Sequence, residues 1–240
     1  MDTTPQALLF DVFGTVVDWR SGIMRDAAPF LARHGIAMTP AALADAWRDR
    51  YQPAMGAIRS GARPFTRLDV LHGENLEAVL RDAGADLAAI PADDRAALTR
   101  AWHRLDPWPD SVPGLTRLKA RFIIAPLSNG NIALLLNMAK RAALPWDAIL
   151  GAEVAQAYKP QPEAYLRTAE ILGLPPAACM LVAAHNGDLA AARRAGFSTA
   201  FIPRPTEHGP GQTIDLVAEE DWDFVAASLT ELADRLGCPG

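Results

Sequence analysis

The sequence predicts an α/β protein in which a three-layer, Rossmann-like parallel sheet carries an inserted all-helical cap. From Trp108 onward, segments with strand character alternate with helical segments, which is typical of a parallel sheet covered by helices. Between about Trp19 and Arg104 the chain shows helical periodicity and almost no strand signal. We therefore assign residues 1–17 and 107–240 to the core domain, and residues 18–106 to a cap inserted after the first strand.

The first core strand and the cap helices follow one another at the start of the chain. Residues 8–10 form a short apolar run that predicts the first strand. Ser21 is the expected N-cap of the first cap helix, which we expect to end at Gly35. The pair Thr39-Pro40 has the cap-then-proline order of a second helix start. Further helical stretches are predicted at Leu68–Leu80 and Pro91–Leu105.

The later core elements are predicted from short apolar runs for strands and amphipathic runs for helices. The predicted strands are Phe122–Leu127, Ala148–Leu150, Met180–Ala183 and Ala200–Ile202. The predicted helices between them are Ile132–Ala142, Pro162–Leu172 and Leu189–Ala195. A Pro/Gly-rich loop, Pro203–Gly211, follows, and we expect it to shape the rim of a site or a subunit contact.

The bulk composition limits the function classes. The chain has 240 residues and a formal net charge of −5, so it has no basic surface of the kind that binds nucleic acid or anionic membranes. No apolar run reaches the roughly 18 residues of a membrane span, and residues Met1–Pro5 lack the features of a signal peptide. Cys179 and Cys238 show neither zinc-ligand nor disulfide spacing, so we expect a reduced, cytoplasmic protein.

Polar residues follow successive predicted strands. Asp11 ends the first strand, and open α/β sheets bind their ligands at the carboxyl ends of strands. Ser128 and Asn129 follow the second strand, Lys159 lies in a Tyr-Lys-Pro segment, and residues 185–188 (His-Asn-Gly-Asp) follow the next strand. Each fragment alone is typical of a turn or a solvated loop. Their order after successive strands indicates a catalytic site.

These segments resemble the motifs of the haloacid dehalogenase superfamily, and within it the type II, or (S)-2-haloacid dehalogenase, group. That resemblance implies an aspartate nucleophile that becomes covalently modified, here Asp11. The phosphatase branch has a second aspartate where this chain has Phe13, and a Gly-Asp pair where it has Ala183-Ala184. Both acids that would hold magnesium are replaced, so we expect neither a metal nor a cofactor.

The resemblance also implies the catalytic roles of the other motif residues. Lys159 would keep Asp11 ionised, because a nearby positive charge lowers the pKa of a carboxyl group, and Thr15 would orient Asp11 by a hydrogen bond. Asp188 would orient or deprotonate the water that attacks the resulting ester. Tyr165 matches a tyrosine that supports the site in the family, and a buried residue on a helix face explains it nearly as well.

Substrate binding is implied in the same way. Ser128 and the backbone N–H groups of Val12 and Phe13, beside the nucleophile, would hold the substrate carboxylate. Arg48 in the cap would receive the halide, with Asn129 donating to it from the core side.

Two of these assignments stay open. Arg50 lies close enough in the sequence to compete with Arg48 for the halide. His185 occupies the position of an asparagine in the better-known family pattern, so either His185 or Asn186 takes over its polar role. A histidine there could donate to the leaving halide or to the ester oxygen, and we therefore predict measurable turnover of fluoroacetate beside chloroacetate.

The expected function is the metal-independent hydrolysis of short 2-haloalkanoic acids, such as haloacetates and (S)-2-halopropionate, to 2-hydroxy acids through an aspartyl ester. The alternatives are a phosphatase acting on small phosphate esters and a non-catalytic binding domain on the same fold. The expected ligands are the haloacid and the halide, and the sequence leaves a homodimer open. Three cap histidines without ligand-like spacing are expected to be surface or core residues, namely His34, His72 and His103.

Overall fold

The computed structural model of the chain describes residues 4–239 and contains a six-stranded parallel sheet. The strands are β1 (Ala7–Phe10), β2 (Val17–Asp18), β3 (Asp106–Pro107), β4 (Ile123–Ser128), β5 (Leu150–Gly151), β6 (Cys179–Ala183), β7 (Ser198–Phe201) and β8 (Phe224–Val225). The large sheet has the order β5-β4-β1-β6-β7-β8, with all neighbours parallel. Its central strand is β1, in which Leu9 pairs with Ala125 on one side and Leu181 on the other.

Helices cover both faces of this sheet. The core helices are α6 (Ser111–Lys119), α7 (Ile132–Ala142), α8 (Ala152–Ala155), α9 (Pro162–Ile171), α10 (Asn186–Arg194) and α11 (Leu229–Arg235). Because successive residues of a strand face opposite sides, Leu8 and Phe10 pack into the apolar cluster with α6, α7 and α11, while Leu9 packs with α9 and α10. All four residues of β1 are fully buried, so the expected three-layer α/β architecture is confirmed.

The segment between β2 and β3 is helical. It contains α1 (Trp19–His34), α2 (Pro40–Asp49), α3 (Tyr51–Arg59), α4 (Leu68–Asp82), α5 (Ala92–Thr99) and a 3-10 turn at Arg100–His103. Strands β2 and β3 pair antiparallel, so the chain leaves the core and returns to it through adjacent backbone. This helical segment contributes its own large buried side chains, among them Trp19, Trp47 and Trp102.

Several predicted boundaries were wrong. Asp18, not Ser21, caps α1: its side chain accepts a hydrogen bond of 3.0 Å from the backbone N–H of Ser21. The Thr39 cap of α2 is confirmed, with its hydroxyl accepting from Ala42 N–H at 3.1 Å. Helix α10 begins at Asn186 rather than Leu189, which brings the residues after β6 into its first turn.

Seven elements were not predicted, namely β2, β3, α3, α6, α8, β8 and α11. Helices α3 and α6 each carry a proline in the first turn and a glycine soon after it, which weakens the helical signal in the sequence. Among the described residues, the structure contains no helix with the length and apolar character of a membrane span. The first three residues of the amino-terminal segment considered above lie outside the described part of the chain.

Candidate active site

Several of the predicted site residues converge at the carboxyl ends of the central strands, below the helical segment. Asp11 follows β1, and Asp188 lies in the first turn of α10, directly after β6. A cavity of about 680 Å³ opens between these core residues and the cap. Its lining includes Asp11, Phe13, Arg48, Tyr51, Arg59, Asn129, Lys159, His185 and Asp188.

Asp11 is held by a donor at each of its two carboxylate oxygens. Thr15 Oγ1 donates to Oδ2 at 2.8 Å, and Lys159 Nζ donates to Oδ1 at 2.8 Å. The Thr15 hydroxyl also accepts a hydrogen bond of 2.8 Å from the backbone N–H of Ala184. Because that contact uses an oxygen lone pair, the hydroxyl proton is directed at Asp11. This hydrogen bond therefore holds the carboxylate in one orientation.

Lys159 lies between two carboxylates. Its ammonium group contacts Asp188 Oδ2 as well as Asp11 Oδ1. The other oxygen of Asp188 accepts a hydrogen bond of 2.6 Å from the hydroxyl of Tyr165, which is buried on α9. Tyr165 is not among the residues that line the cavity, so it acts on Asp188 and not on a bound substrate.

His185 connects the nucleophile to a second buried acid. Its Nδ1 lies 3.1 Å from Asp11 Oδ2, and its Nε2 lies 2.9 Å from Glu207 Oε2. Glu207 is almost fully buried in the loop after β7, where it also accepts a hydrogen bond of 2.9 Å from Trp19 Nε1. A Cβ atom at Gly14 would lie 2.1 Å from Glu207 Oε1, so this position of the nucleophile loop requires glycine.

These contacts shift the pKa values of the central groups. Burial raises the pKa of Asp11, but the positive charges of Lys159 and His185 outweigh burial and hold it well below its usual value. Burial lowers the pKa of Lys159, and the two carboxylates raise it above its usual value. Burial also lowers the pKa of His185, while Glu207 and Asp11 raise it well above 6.5. The site therefore holds an anionic nucleophile between two cations.

Arg48 projects from α2 into the cavity on the cap side. Its guanidinium lies over the rings of Tyr51 and Trp19, with Cζ 4.3 and 5.2 Å from the ring centroids. Its Nη1 is buried and has no partner among the described residues. The competing Arg50 forms an exposed ion pair with Asp82 and does not line the cavity. The geometry thus favours Arg48 over Arg50 as the anion-binding residue.

The expected substrate-binding groups of the core differ in their positions. Asn129 lines the cavity, and its side-chain oxygen accepts a hydrogen bond of 2.9 Å from the backbone N–H of Lys159. Ser128 is buried at the end of β4, where its hydroxyl accepts from Gly130 N–H at 3.1 Å. Within the described chain, the backbone N–H groups of Val12 and Phe13 donate to no backbone carbonyl, so they remain available to a ligand.

The expectation that Asn186 binds substrate needs correction. Its amide nitrogen donates to Asp215 and to the carbonyl of Val217, and its oxygen accepts from Glu219 N–H and Trp222 Nε1. All of its polar atoms are therefore used to anchor the following loops, and it does not line the cavity. Of the two residues left open by the sequence, only His185 reaches the nucleophile.

The donor set around Asp11 does not fit a hard divalent cation. Phe13 and Ala184 contribute no oxygen side chain, and the Lys159 ammonium lies between the two remaining carboxylates. A different group of metal-ligand atoms lies nearby, because those of His185, Glu207 and His208 fall within 4.8 Å of one another. Since His185 is already paired with Asp11 and Glu207, these contacts account for the group without a metal.

Sequence reasoning missed Glu207, Tyr51 and Arg59. Glu207 lies in the Pro/Gly-rich loop, which was expected to shape a rim, and no local pattern distinguishes it from a solvated acid. Tyr51 and Arg59 belong to the unpredicted helix α3. Arg59 Nη1 donates to the backbone carbonyl of Lys159 at 3.3 Å, so α3 contacts the core directly beside the catalytic lysine.

Comparison with known proteins places this geometry in a family. Residues 5–196 match the model of the haloacid dehalogenase-like hydrolases. The chain is 29% identical over 240 residues to (S)-2-haloacid dehalogenase 4A of Burkholderia cepacia. The aligned region covers 95% of this chain and 98% of that protein.

Two solved structures are more similar. The defluorinating L-2-haloacid dehalogenase Rha0230 is 56% identical with a TM-score of 0.96, covering 98% of this chain and 96% of its own. The L-2-haloacid dehalogenase PA0810 is 46% identical with a TM-score of 0.92, covering 97% of this chain and 99% of its own.

Proposed function

The chain belongs to the haloacid dehalogenase-like hydrolases, and we propose that it hydrolyses the carbon–halogen bond of short (S)-2-haloalkanoic acids without a metal. The observation that carries this proposal is the Lys159 ammonium, which lies between Asp11 and Asp188 where the donor set excludes a hard cation. The similarity to two L-2-haloacid dehalogenases over nearly the whole chain supports the same reaction class.

In the first half-reaction, Asp11 attacks the α-carbon of the haloacid. One carboxylate oxygen forms a bond to carbon, and the halogen leaves with the electron pair of the broken bond. Lys159 and Thr15 hold the carboxylate in one orientation, which reduces the entropic cost of alignment behind the carbon–halogen bond. The low pKa of Asp11 keeps the nucleophile anionic over the whole physiological range.

The two ends of the substrate bind to different parts of the cavity. The backbone N–H groups of Val12 and Phe13 hold the substrate carboxylate beside the nucleophile, while Ser128, which is buried and does not line the cavity, supports the loop after β4 through Gly130. The halide binds to Arg48, whose buried Nη1 is free to donate, with Asn129 on the core side. The aromatic rings beside Arg48 exclude water and strengthen its attraction for the leaving anion.

In the second half-reaction, water attacks the ester carbonyl carbon of Asp11. Asp188 lines the cavity and takes a proton from this water, while Lys159 and Tyr165 hold its carboxylate in place. The bond between Asp11 and the substrate breaks, so the hydroxyl oxygen of the product comes from Asp11 and the water oxygen stays in the enzyme. One proton and one halide ion are released for each substrate.

The test is halide release from a panel of substrates with and without a chelator. We expect turnover of chloroacetate and (S)-2-chloropropionate that the chelator leaves unchanged, together with measurable fluoride release from fluoroacetate. Matched reactions with (R)-2-chloropropionate and small phosphate esters should show little product. Phosphate release that requires magnesium, without halide release, would replace this proposal by the phosphatase alternative.

Two further proposals concern the state of the protein. We propose a homodimer, to be tested by sedimentation velocity at micromolar concentration. We also propose a cytoplasmic location, which is consistent with the two buried free thiols, Cys179 and Cys238.

A further inference from the structure

The nucleophile Asp11 has one carboxylate oxygen with a different environment from the other. Oδ1 contacts Lys159, whereas Oδ2 contacts both the Thr15 hydroxyl at 2.8 Å and His185 Nδ1 at 3.1 Å. Two groups that can each donate a proton thus converge on Oδ2. An oxygen held in this way is poorly placed to form a bond to carbon, because the approach to it is occupied.

His185 is held as a donor by the acid behind it. Its Nε2 contacts Glu207 at 2.9 Å, and Glu207 is buried, with its other oxygen bound to Trp19 Nε1. Because a carboxylate oxygen lies within 3.1 Å of each ring nitrogen, the charged imidazolium is the favoured form of the ring. The raised pKa of His185 described above agrees with this geometry. An imidazolium cannot accept a proton from water, so it does not serve as the hydrolytic base.

We propose that His185, kept charged by the buried Glu207, forms with Thr15 an oxyanion hole for hydrolysis of the aspartyl ester. This rests on the proposed function and deepens its second half-reaction. Oδ1 of Asp11 bonds to the substrate carbon, and Oδ2 becomes the carbonyl oxygen of the ester. Glu207 is then a positioning residue, because it contacts His185 and not the reacting atoms.

When water attacks Cγ of Asp11, Asp188 takes one water proton and the electron pair of the carbonyl bond moves to Oδ2. His185 and Thr15 stabilise the negative charge that develops there. Collapse restores the carbonyl and expels Oδ1 with the product, and the second water proton passes from the new carboxyl group to the departing alkoxide.

In this role, His185 acts on the ester oxygen and does not assist departure of the halide. Its Nδ1 faces the nucleophile carboxylate, while an in-line displacement places the halogen on the far side of the reacting carbon, toward Arg48. Chloroacetate and fluoroacetate produce the same ester on Asp11. Where ester hydrolysis limits turnover, both substrates must therefore reach the same rate, whereas a role in halide departure would affect fluoroacetate more.

The experiment measures the two half-reactions separately in His185→Asn and Glu207→Gln. Rapid-quench halide release follows ester formation, and intact-protein mass spectrometry follows the ester. In His185→Asn we expect a burst of about one halide per active site, accumulation of the ester, and slower turnover. Asparagine replaces the charged imidazolium by a neutral amide donor, which corresponds to a loss of about 10- to 10²-fold in the hydrolysis rate. Both substrates should reach the same slow rate.

Glu207→Gln adds a pH readout that a structural role would not change. The charged form of His185 is the active one, so hydrolysis is lost as pH rises through its pKa. The charged and titratable groups around it are Asp11, Arg48, Lys159, Asp188, Glu207, His208 and Asp215. Because Glu207 supplies the largest charge that raises this pKa, its replacement should move the alkaline loss of ester hydrolysis to lower pH.

His103→Asn is the matched control. His103 also pairs with a carboxylate, with Nε2 2.9 Å from Asp69 Oδ1, but it lies outside the cavity. We expect no ester accumulation and an unchanged pH profile in this variant. The proposal is overturned if His185→Asn slows the halide burst itself, or if no ester accumulates in either site variant. Failure of the proposed function is a separate result, namely no halide release by the wild-type protein from any 2-haloacid.

Discussion

Removal of the Arg48 side chain should slow carbon–halogen cleavage far more than removal of Arg50. Both arginines belong to the same stretch of the cap, but only Arg48 lines the cavity, with its guanidinium packed against Tyr51 and Trp19. Arg50 forms an ion pair with Asp82 in which the two side chains are 34% and 67% exposed. The two variants therefore compare the loss of a cation in the cavity, Arg48, with the loss of a solvent-exposed cation, Arg50, from neighbouring positions in the cap.

The size of the effect follows from the surroundings of each charge. At about 4 Å and an effective dielectric constant of about 20, two unit charges attract by roughly 4 kcal/mol. Part of this attraction exists already in the bound substrate, so we expect Arg48→Ala to lose about 10²- to 10³-fold in the rate of halide release, as for loss of one oxyanion donor. An exposed ion pair contributes only about 0–1 kcal/mol to stability, so Arg50→Ala should stay within a few-fold of wild type.

The assay is single-turnover halide release from (S)-2-chloropropionate, with Arg48→Lys as a third variant. Lysine keeps the charge but loses the planar stacking on the two rings, so its rate should fall between wild type and Arg48→Ala. Equal losses in Arg48→Ala and Arg50→Ala, or a larger loss in Arg50→Ala, would show that the halide binds elsewhere in the cap.

Three further outcomes are expected. Chelation should leave haloacid turnover unchanged, since Phe13 and Ala184 provide no ligand oxygen; loss of activity that magnesium restores would contradict the donor set. Asp11→Asn should abolish turnover because an amide is a poor nucleophile, and a single turnover of wild type in ¹⁸O-water should place the label in Asp11 first; label found directly in the product would instead mean that water attacks the substrate. Tyr165→Phe removes a hydrogen bond of 2.6 Å to Asp188, which is worth about 1.5–3 kcal/mol. Ester hydrolysis should therefore slow about 10- to 100-fold, while the halide burst keeps its rate. An equal loss in both steps would mean that Tyr165 has a general structural role.

The sequence predicted those site residues whose position the sheet alone determines. Asp11 and Asp188 follow parallel strands that are hydrogen-bonded neighbours, so the carboxyl ends of those strands bring them together. The fold class followed from the same alternation of strands and helices. Helix α3 escaped prediction because its packing on the cap, and not its local sequence, stabilises it.

Long-range contacts decided what the sequence left open. Asn186 and His185 are adjacent, and no local pattern separates an anchor from a site residue. The difference arises because Asp215 and Trp222 fold back onto Asn186, while Glu207 meets His185. Glu207 is buried because the loop that follows β7 passes over the nucleophile. The position of that loop depends on the order of the strands in the sheet, and not on the sequence around Glu207.

The charges around the nucleophile explain why two cations contact one carboxylate. Around the nucleophile, the carboxylates of Asp11, Asp188 and Glu207 lie beside the cations Lys159, His185 and Arg48, three charges of each sign, and this pairing lowers the cost of burying them. Ester formation neutralises Asp11, and the carboxylate of the bound substrate brings one negative charge into the site, so the overall balance is kept once the halide has left. The negative charge has moved from Asp11 to the substrate carboxylate, so His185 now faces a neutral ester oxygen and favours the anion that next forms on it. The arrangement that keeps the nucleophile ionised before the first step thus stabilises the transition state of the second.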